Sequence, residues 1–375
     1  MADDARLPEA DRLDGALHPR DTPRLFGQQD AERTFLESYS SGKLHHAWLI
    51  FGPAGVGKAT LAWRLTRFVL ANDQQTGGLF GNQSPASLDV EEDNPVARRL
   101  RAGAEGRMHV LRRPWDEKAK RLKTRITVDE VRKLKSFFGL SAADGGRRVV
   151  LIDAAEDMND AAANALLKVL EEPPPDAFIF LVSHQPTRLL PTIRSRCRTL
   201  RCLPLSTDDM EQALIAQDTT LNPALQELAA GSVGAAIALE RSESLTAYAN
   251  LLSLFSRLPE FDRQAAVRMS ETASARAGDT AFELLVTLLA DQLLARLAKT
   301  GSGLIPKEAA AEGEIAVLSR LAPDAAAARA WAQLQAKISS EARRAKAVNL
   351  DPTAVFLDLL LQVRKTGCLV IGTET

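Results

Sequence analysis

The stretch from Val149 to Cys197, VVLIDAAEDMNDAAANALLKVLEEPPPDAFIFLVSHQPTRLLPTIRSRC, decides the fold. The apolar run Val149–Ile152 predicts a buried strand of a parallel sheet, and Asp153 follows at the carboxyl edge, where such sheets bind ligands. Apolar residues then recur at helical spacing from about Asp157 to Glu172, where three prolines end the helix. A second buried strand is predicted over Phe178–Val182. This pattern is typical of the second half of a nucleoside-triphosphatase core.

The first half of such a core lies upstream, where HAWLIF at 46–51 predicts a strand and GPAGVGKAT follows at 52–60. Glycines let backbone amides surround a phosphate, the start of the next helix adds partial positive charge, and Lys58 can reach the anion. We therefore predict a phosphate-binding loop. The candidate nucleotide-binding residues, in this loop and at the ends of two later strands, are Gly52, Gly55, Gly57, Lys58, Ala59, Thr60, Asp153 and Ser183.

The loop departs from its motif at the position that holds Mg²⁺. A Ser or Thr hydroxyl is expected directly after the lysine, and Ala59 stands there. Thr60 lies one residue further, which rotates it by about 100° around the helix and makes it a poor substitute. The sequence therefore predicts a degenerate nucleotide site.

Composition sets the broad class. The 375 residues are too many for one compact core, and 45% apolar with 25% charged residues is ordinary for a globular protein. The net charge of −1 means that any contact with nucleic acid needs a local basic patch. Cys197, Cys202 and Cys368 form no CxxC pair, so we expect neither a disulfide framework nor zinc. With no long apolar run or signal peptide, we expect a soluble cytoplasmic protein without membrane contact.

A local basic patch is present between residues 98 and 148, which contain sixteen Lys or Arg against six Asp or Glu. A helix predicted over 128–138 carries several of these cations. They form either a solvated surface or a surface that binds nucleic-acid phosphates, and the two interpretations stay open. The candidate phosphate-binding residues are Arg125, Arg132, Lys133 and Lys135.

The ends of the chain differ from this core. Residues 1–23 are polar and aperiodic, which predicts a loosely ordered lead-in, and 72–93 resemble a surface insertion. Short helices are predicted over 207–217, 223–230 and 232–240, and nearly everything after Thr246 is helical.

Three motifs, HAWLIFGPAGVGK, NALLKVLEEPP and LLPTIRSRCR, closely resemble the clamp-loader branch of the AAA+ ATPases. The triplet Ser195-Arg196-Cys197 is a narrow signature of that branch. The resemblance implies an α/β P-loop core with a parallel sheet over 24–205, a three-helix lid over 206–243 and an all-α collar over 244–375. The collar of this family holds a ring of subunits together.

The resemblance also implies that catalysis is lost. An active member has Glu directly after the strand Asp, and this chain has Ala154. An active lid begins Gly-Ser-Leu-Arg, and here Gly234 replaces the Arg that touches nucleotide. Together with Ala59 these make three losses, and one such group typically contributes about 100- to 1000-fold in rate. We expect negligible ATP hydrolysis.

Arg196 is intact, and the matching Arg of the family reaches the ATP site of a neighbouring subunit, so Arg196 is the candidate arginine finger in trans. The resemblance implies the non-hydrolysing subunit type of the bacterial DNA polymerase III clamp loader, within the polymerase holoenzyme. Implied partners are gamma/tau and delta subunits in a hetero-pentamer, the sliding clamp and primed DNA, for DNA replication. ATP binding is expected to be weak or vestigial, and no zinc is expected because no cysteine lies between Lys58 and Asp153.

The main alternative is an active AAA+ motor, either a gamma/tau-like loader subunit or a branch-migration motor. The three losses argue against it. A nuclease or polymerase would need clustered carboxylates for two-metal chemistry, which the sequence does not contain. Whether nucleotide still binds is left open, because the loop and Lys58 are intact while the Mg²⁺ and lid contacts are lost.

Overall fold

The computed structural model describes residues 8–22, 24–73, 85–139, 146–219, 222–241, 243–274 and 280–372. These form two compact units. The first unit lies within residues 1–220 and 231–238, and the second within 221–230 and 239–375. The predicted division into core, lid and collar stays a prediction.

A parallel sheet forms the centre of the first unit, as the apolar runs predicted. The strands along the chain are β1 (Ala47–Phe51), β2 (Met108–Leu111), β3 (Trp115–Asp116), β4 (Arg121–Leu122), β5 (Arg148–Ile152), β6 (Ala177–Ser183) and β7 (Arg198–Arg201). Five of them pair in the order β2-β5-β6-β1-β7, and every pair is parallel. The other two, β3 and β4, form a small antiparallel hairpin.

Helices cover both faces of this sheet, which explains why its central strands β1, β5 and β6 are mostly apolar. The helices up to residue 240 are α1 (Gln29–Ser40), α2 (Lys58–Ala71), α3 (Pro95–Ala102), α4 (Val128–Gly139), α5 (Asp160–Glu171), α6 (Pro191–Arg194), α7 (Thr207–Ile215), α8 (Pro223–Ala229) and α9 (Val233–Glu240). On one face Phe35 of α1 stacks within 5.1 Å of Trp48 and 6.0 Å of Phe180, measured between ring centroids. On the other face α4 and α5 bury Leu134 and Leu166 against the sheet.

The second unit is helical. It contains α8 and, further along, α10 (Ser244–Ser256), α11 (Arg263–Thr272), α12 (Thr280–Val286), α13 (Ala295–Gly301), α14 (Glu314–Leu321), α15 (Ala325–Ala347) and α16 (Pro352–Val370). A π-helical segment, Thr287–Leu294, joins α12 to α13. Its core is built around the fully buried rings of Tyr248, Phe255, Trp331 and Phe356. No helix among the described residues is long and apolar enough to cross a membrane.

One predicted boundary differs from the structure, one helix was not predicted, and one predicted segment can be compared only in part. The helix expected from Asp157 begins at Asp160, because the side chain of Asn159 caps it by accepting a hydrogen bond from the Ala162 amide. Helix α3 was not predicted, although Asn94 and Pro95 are typical of a helix start. The insertion predicted over 72–93 falls partly outside the described residues.

The N-terminal segment also differs from the loosely ordered lead-in that its polar sequence predicted. Residues 8–22 pack onto the first unit, where His18 and Arg20 are buried. The ring of His18 meets that of Trp63 edge-on, with 5.7 Å between centroids. Ion pairs with a distant part of the core hold this segment, so its charges form contacts that composition alone does not reveal.

Candidate functional site

The glycine-rich loop lies between β1 and α2, where the sequence placed it. Gly57 caps α2 with a left-handed φ of 97°. Gly52 lies so close to β7 that a Cβ there would be 2.2 Å from the Cys202 carbonyl oxygen, so only glycine fits. Ala59 and Thr60 lie half-buried in the first turn of α2. The conformation of the loop therefore depends on glycine at Gly52 and Gly57.

The lysine of this loop is satisfied by the loop itself. Lys58 is 3% exposed, and its Nζ donates a hydrogen bond to the Pro53 carbonyl. Burial lowers the pKa of Lys58 to about 8, although Cys202, Glu156 and Asp153 act in the opposite direction. The ammonium thus contacts its own backbone where a phosphate is expected.

The beginning of α9 lies against the same loop. Ser232 Oγ donates to the Ala54 carbonyl at 2.9 Å, and the Gly234 amide donates to the Gly55 carbonyl at 3.0 Å. A Cβ added at Gly55 would lie 2.3 Å from Ser232 Oγ. The groups expected to face a nucleotide are thus engaged by the chain itself, Lys58 with the Pro53 carbonyl and the loop backbone with Ser232 and Gly234.

Asp153 ends β5 at the carboxyl edge of the sheet, as predicted, and is 8% exposed. Burial, with Asp11 and Glu156 nearby, raises its pKa to about 7. Ser183 lies at the end of β6 and is fully buried, and its Oγ accepts a hydrogen bond from the Gln185 amide at 3.2 Å. Burial and the neighbouring carboxylates thus disfavour the charged form of Asp153.

Glu156 is a site residue that the sequence did not identify. Its Oε1 accepts hydrogen bonds from the backbone amides of His184 at 2.7 Å and Gln185 at 3.2 Å. The carboxylate therefore links the segment after β5 to the segment after β6. The sequence feature that could have identified Glu156 as a site residue is its position three residues after Asp153.

Arg196 lies after α6, just before β7, and its side chain is 35% exposed. Its Nη1 donates to the Thr192 carbonyl at 2.9 Å, and its Nη2 pairs with Glu171 Oε1 at 2.7 Å. Glu171 ends α5, so both partners belong to this chain. The Arg is placed at the surface, as a residue that acts on a neighbour must be, and it is held by its own subunit.

A buried charge cluster near this site was also missed. Arg112, which directly follows β2, pairs with Asp11 and, at 2.5 Å, with Glu9, and Arg20 pairs with Glu9. The His18 Nε2 atom lies 3.2 Å from Glu9 and 3.5 Å from Asp11. Arg112 lies 101 residues from Asp11 and 103 residues from Glu9 in sequence, so no local pattern could reveal its pairs with them.

Glu9, Asp11 and His18 are close enough together to be considered as a metal site. The donor set does not favour one. His18 Nδ1 accepts a hydrogen bond from the Arg20 amide at 3.1 Å, so the ring proton lies on Nε2, the atom that faces the carboxylates. Two guanidinium groups already neutralise those carboxylates. The cluster is an ion-pair network that fastens the N-terminal segment.

The cations proposed for phosphate contact on α4 are paired within their own helix. Arg132 pairs with Asp129 at 3.0 Å and Lys133 pairs with Glu130 at 2.7 Å. Lys135 is exposed. Their role in binding nucleic acid stays a prediction.

Comparison with known proteins identifies the relatives of this chain. The family described as "DNA polymerase III, delta subunit" matches residues 27–206. The DNA polymerase III subunit delta-prime of Pseudomonas aeruginosa is 40% identical over 197 residues, which cover 52% of this chain and 55% of that protein. The Escherichia coli subunit delta-prime is 34% identical over 68% of this chain and 72% of its own length. A gamma/tau subunit from Mycobacterium tuberculosis is 27% identical over 48% of this chain and 28% of that protein.

The parallel sheet, the glycine loop and the helices around them define a P-loop core of the AAA+ class, as the sequence predicted. Within that class, the chain belongs to the family of DNA polymerase III delta-prime subunits. The predicted clamp-loader resemblance is thereby confirmed.

Proposed function

We propose that this chain is a non-hydrolysing subunit of the clamp loader of DNA polymerase III. It would assemble in the cytoplasm with gamma/tau and delta subunits as a hetero-pentamer that places a sliding clamp on primed DNA. Its family membership supports the replication role. The arrangement of its phosphate loop supports the absence of hydrolysis.

The observation that carries the proposal is the closure of the loop by its own chain. Lys58 contacts the Pro53 carbonyl, and Ser232 and Gly234 lie on the loop backbone. ATP binding would then be weak or vestigial, because the Lys58 ammonium is already bonded to its own loop. Ala59 and Ala154 stand where a hydroxyl would hold Mg²⁺ and where a carboxylate would polarise water.

Through Arg196 the chain contributes to ATP hydrolysis at the site of a neighbouring subunit of the ring. A guanidinium supplied in trans neutralises charge on the transferred phosphoryl group, and its planar fork suits phosphate oxygens. The position of Arg196 at the surface, with 35% of its side chain exposed, supports this role.

ATP turnover by the purified chain tests the proposal, with and without primed DNA. We expect none above background, and Lys58→Ala should change nothing. Turnover near about 1 s⁻¹ that disappears in Lys58→Ala would instead identify an active AAA+ motor.

A further inference from the structure

A buried cation lies between helix α2 and the N-terminal segment. Arg67 of α2 is 8% exposed, and its Nη2 donates a hydrogen bond to the Arg20 carbonyl at 2.9 Å. Asp21 and Glu92 are near enough to act on its charge, but they pair with other arginines, Arg20 and Arg101. Within the described part of the chain, no carboxylate forms an ion pair with Arg67. A buried charge without a partner of opposite sign is costly, so this place favours an anion.

The surroundings of Arg67 add positive charge to this place. Burial is the main cause that lowers the pKa of Arg67, and the neighbouring guanidinium groups of Arg101 and Arg64 lower it further. An anion held here would therefore be attracted by more than one cation.

Three nitrogen donors at this place have no hydrogen-bond acceptor among the described residues, namely Nε of Arg67, Nε1 of Trp63 and Nε of Arg20. Trp63 is 3% exposed and lies one turn before Arg67 on the same face of α2. Arg20 packs against it, with 5.9 Å between the guanidinium carbon and the centroid of the indole ring. The Arg20 Nε atom is 4.0 Å from Asp21 Oδ2, too far for a hydrogen bond. Buried donors are nearly always satisfied, so this group, here called the α2 anion site, indicates a ligand that accepts hydrogen bonds.

The chemistry of these donors selects the ligand. Phosphate carries several oxygens, which can accept hydrogen bonds from different side chains at once, and its charge offsets that of Arg67. The planar guanidinium is well suited to phosphate oxygens. Because Arg67 and Trp63 are buried, only a small ion can contact both, which excludes a nucleic acid or a protein segment.

The α2 anion site is separate from the phosphate loop. Arg67 follows Lys58 by nine residues on α2, which places it about 14 Å further along the helix axis. One phosphate group cannot contact both side chains at that distance.

We propose that Arg67, Trp63 and Arg20 form a binding site for a free phosphate ion, which fastens the N-terminal segment to α2. The site goes beyond the proposed function, because it requires neither nucleotide nor the other subunits of the ring. It holds the ion by hydrogen bonds and charge, and no chemical step takes place there.

The experiment is urea unfolding of the full-length chain in rising concentrations of potassium phosphate, with potassium chloride of equal ionic strength as the reference. A ligand that binds only the folded state raises the free energy of unfolding with its concentration, which gives the dissociation constant. Phosphate also stabilises proteins generally by exclusion from their surface, but that effect does not depend on Arg67 and does not saturate. We expect a saturable effect in the wild type and none in Arg67→Gln.

A second variant, Trp63→Phe, keeps an aromatic ring in place and removes the indole N–H. It should raise the dissociation constant for phosphate about tenfold, which is the usual contribution of one hydrogen bond to a charged group. This variant decides the question if Arg67→Gln does not fold.

The matched control is Arg33→Gln, which removes the same charge from a 66%-exposed side chain of α1 and should keep the wild-type dissociation constant. Lys58→Ala should also keep it, and loss of the saturable effect in that variant would place the phosphate in the phosphate loop and overturn the proposal. An unchanged constant in Trp63→Phe, an equal loss in Arg33→Gln, or no saturable effect on the wild type would overturn it as well. None of these outcomes depends on ATP turnover, so the two proposals can fail separately.

Discussion

Arg196 is held by contacts that can be given up at low cost. Its ion pair with Glu171 joins side chains that are 35% and 48% exposed. Exposed pairs of this kind contribute about 0.2–1 kcal/mol, because water screens both charges. A neighbouring subunit that offers an ATP phosphate can therefore recruit the guanidinium. The pair keeps Arg196 near the surface of the isolated chain without locking it there.

We expect Arg196→Ala to fold normally and to join the ring, yet to slow hydrolysis at the ATP site that it completes by about 10³-fold or more. Arg196→Lys should not rescue the rate, because an ammonium lacks the planar fork. Glu171→Gln is the matched control and should stay within about twofold of wild type, since the pair contributes little. The measurement is ATPase and clamp-loading rate of the reconstituted complex. Wild-type rates with Arg196→Ala would rule out the finger.

Asp153 makes the stability of the first unit depend on pH. Burial, with Asp11 and Glu156, raises its pKa to about 7, whereas an unfolded Asp titrates near 3.8. Between these two pKa values the folded state therefore binds more protons than the unfolded state. The stabilisation that protonated Asp153 gives to the folded state is lost as the pH rises from about 4 to about 7. Asp153→Asn cannot titrate. Its free energy of unfolding relative to wild type should rise across this window, as urea unfolding at several pH values would show. A difference that is flat with pH would mean that Asp153 is ionised in the folded state.

At the scale of elements, α9 can contact the phosphate loop because Gly234 has no side chain. A Cβ at Gly234 would lie 2.9 Å from the Gly55 Cα, and Gly234 has no unusual φ. Gly234→Ala should therefore cost about 1–3 kcal/mol through overpacking or push α9 from the loop. Gly106→Ala, where a Cβ would meet nothing within 4 Å, should cost under about 1 kcal/mol. Denaturant unfolding measures both, and equal costs would refute the contact.

The N-terminal segment should depend on Arg112. In Arg112→Met the 1%-exposed side chain of Asp11 loses its guanidinium partner, and breaking a buried pair in this way costs about 3–5 kcal/mol. The adjacent Arg113→Met is the matched control, because its pair with Asp157 is more exposed and should contribute about 1 kcal/mol. Thermal unfolding and limited proteolysis within residues 8–22 report the two effects. Similar losses in both variants would show that the cluster does not hold the segment.

Elements encoded by local pattern could be predicted from the sequence. The apolar runs of β1, β5 and β6 and the glycine loop are patterns of a few consecutive residues. Their predicted positions therefore lie within two residues of the observed ones. The packing of the N-terminal segment was not predictable, since Arg112 meets Glu9 across 103 residues. Nor was the closure of the loop, which depends on Ser232, 178 residues from Ala54. These contacts join residues that are far apart in sequence. The local periodicity of the sequence carries no information about which distant residues pair.

At the scale of the whole molecule, each compact unit contains its own network of buried charged residues. In the second unit Glu314 is fully buried and accepts hydrogen bonds from Arg296 at 2.7 and 3.0 Å and from Tyr248 and the Ala310 amide at 2.5 Å each. Arg296 also pairs with Glu227 of α8 at 3.1 Å. The network thus joins helices from both segments of this unit. It explains why residues 222–230 belong with the helical unit although residues 231–238 do not.

Glu314→Gln should therefore loosen the second unit specifically. The amide keeps the shape of the side chain but carries no negative charge. The buried Arg296 guanidinium then keeps only part of its ion pairing, which should lower the free energy of unfolding by about 3–5 kcal/mol. Glu312→Gln is the matched control, because Glu312 is exposed two residues away and should change stability by less than about 0.5 kcal/mol. Amide hydrogen exchange followed by mass spectrometry locates the effect. We expect faster exchange in α8, α10, α13 and α14 and unchanged exchange in β1, β5 and β6, because a domain with its own core opens as its own cooperative unit. Equal acceleration across the sheet would show that the two units unfold as one.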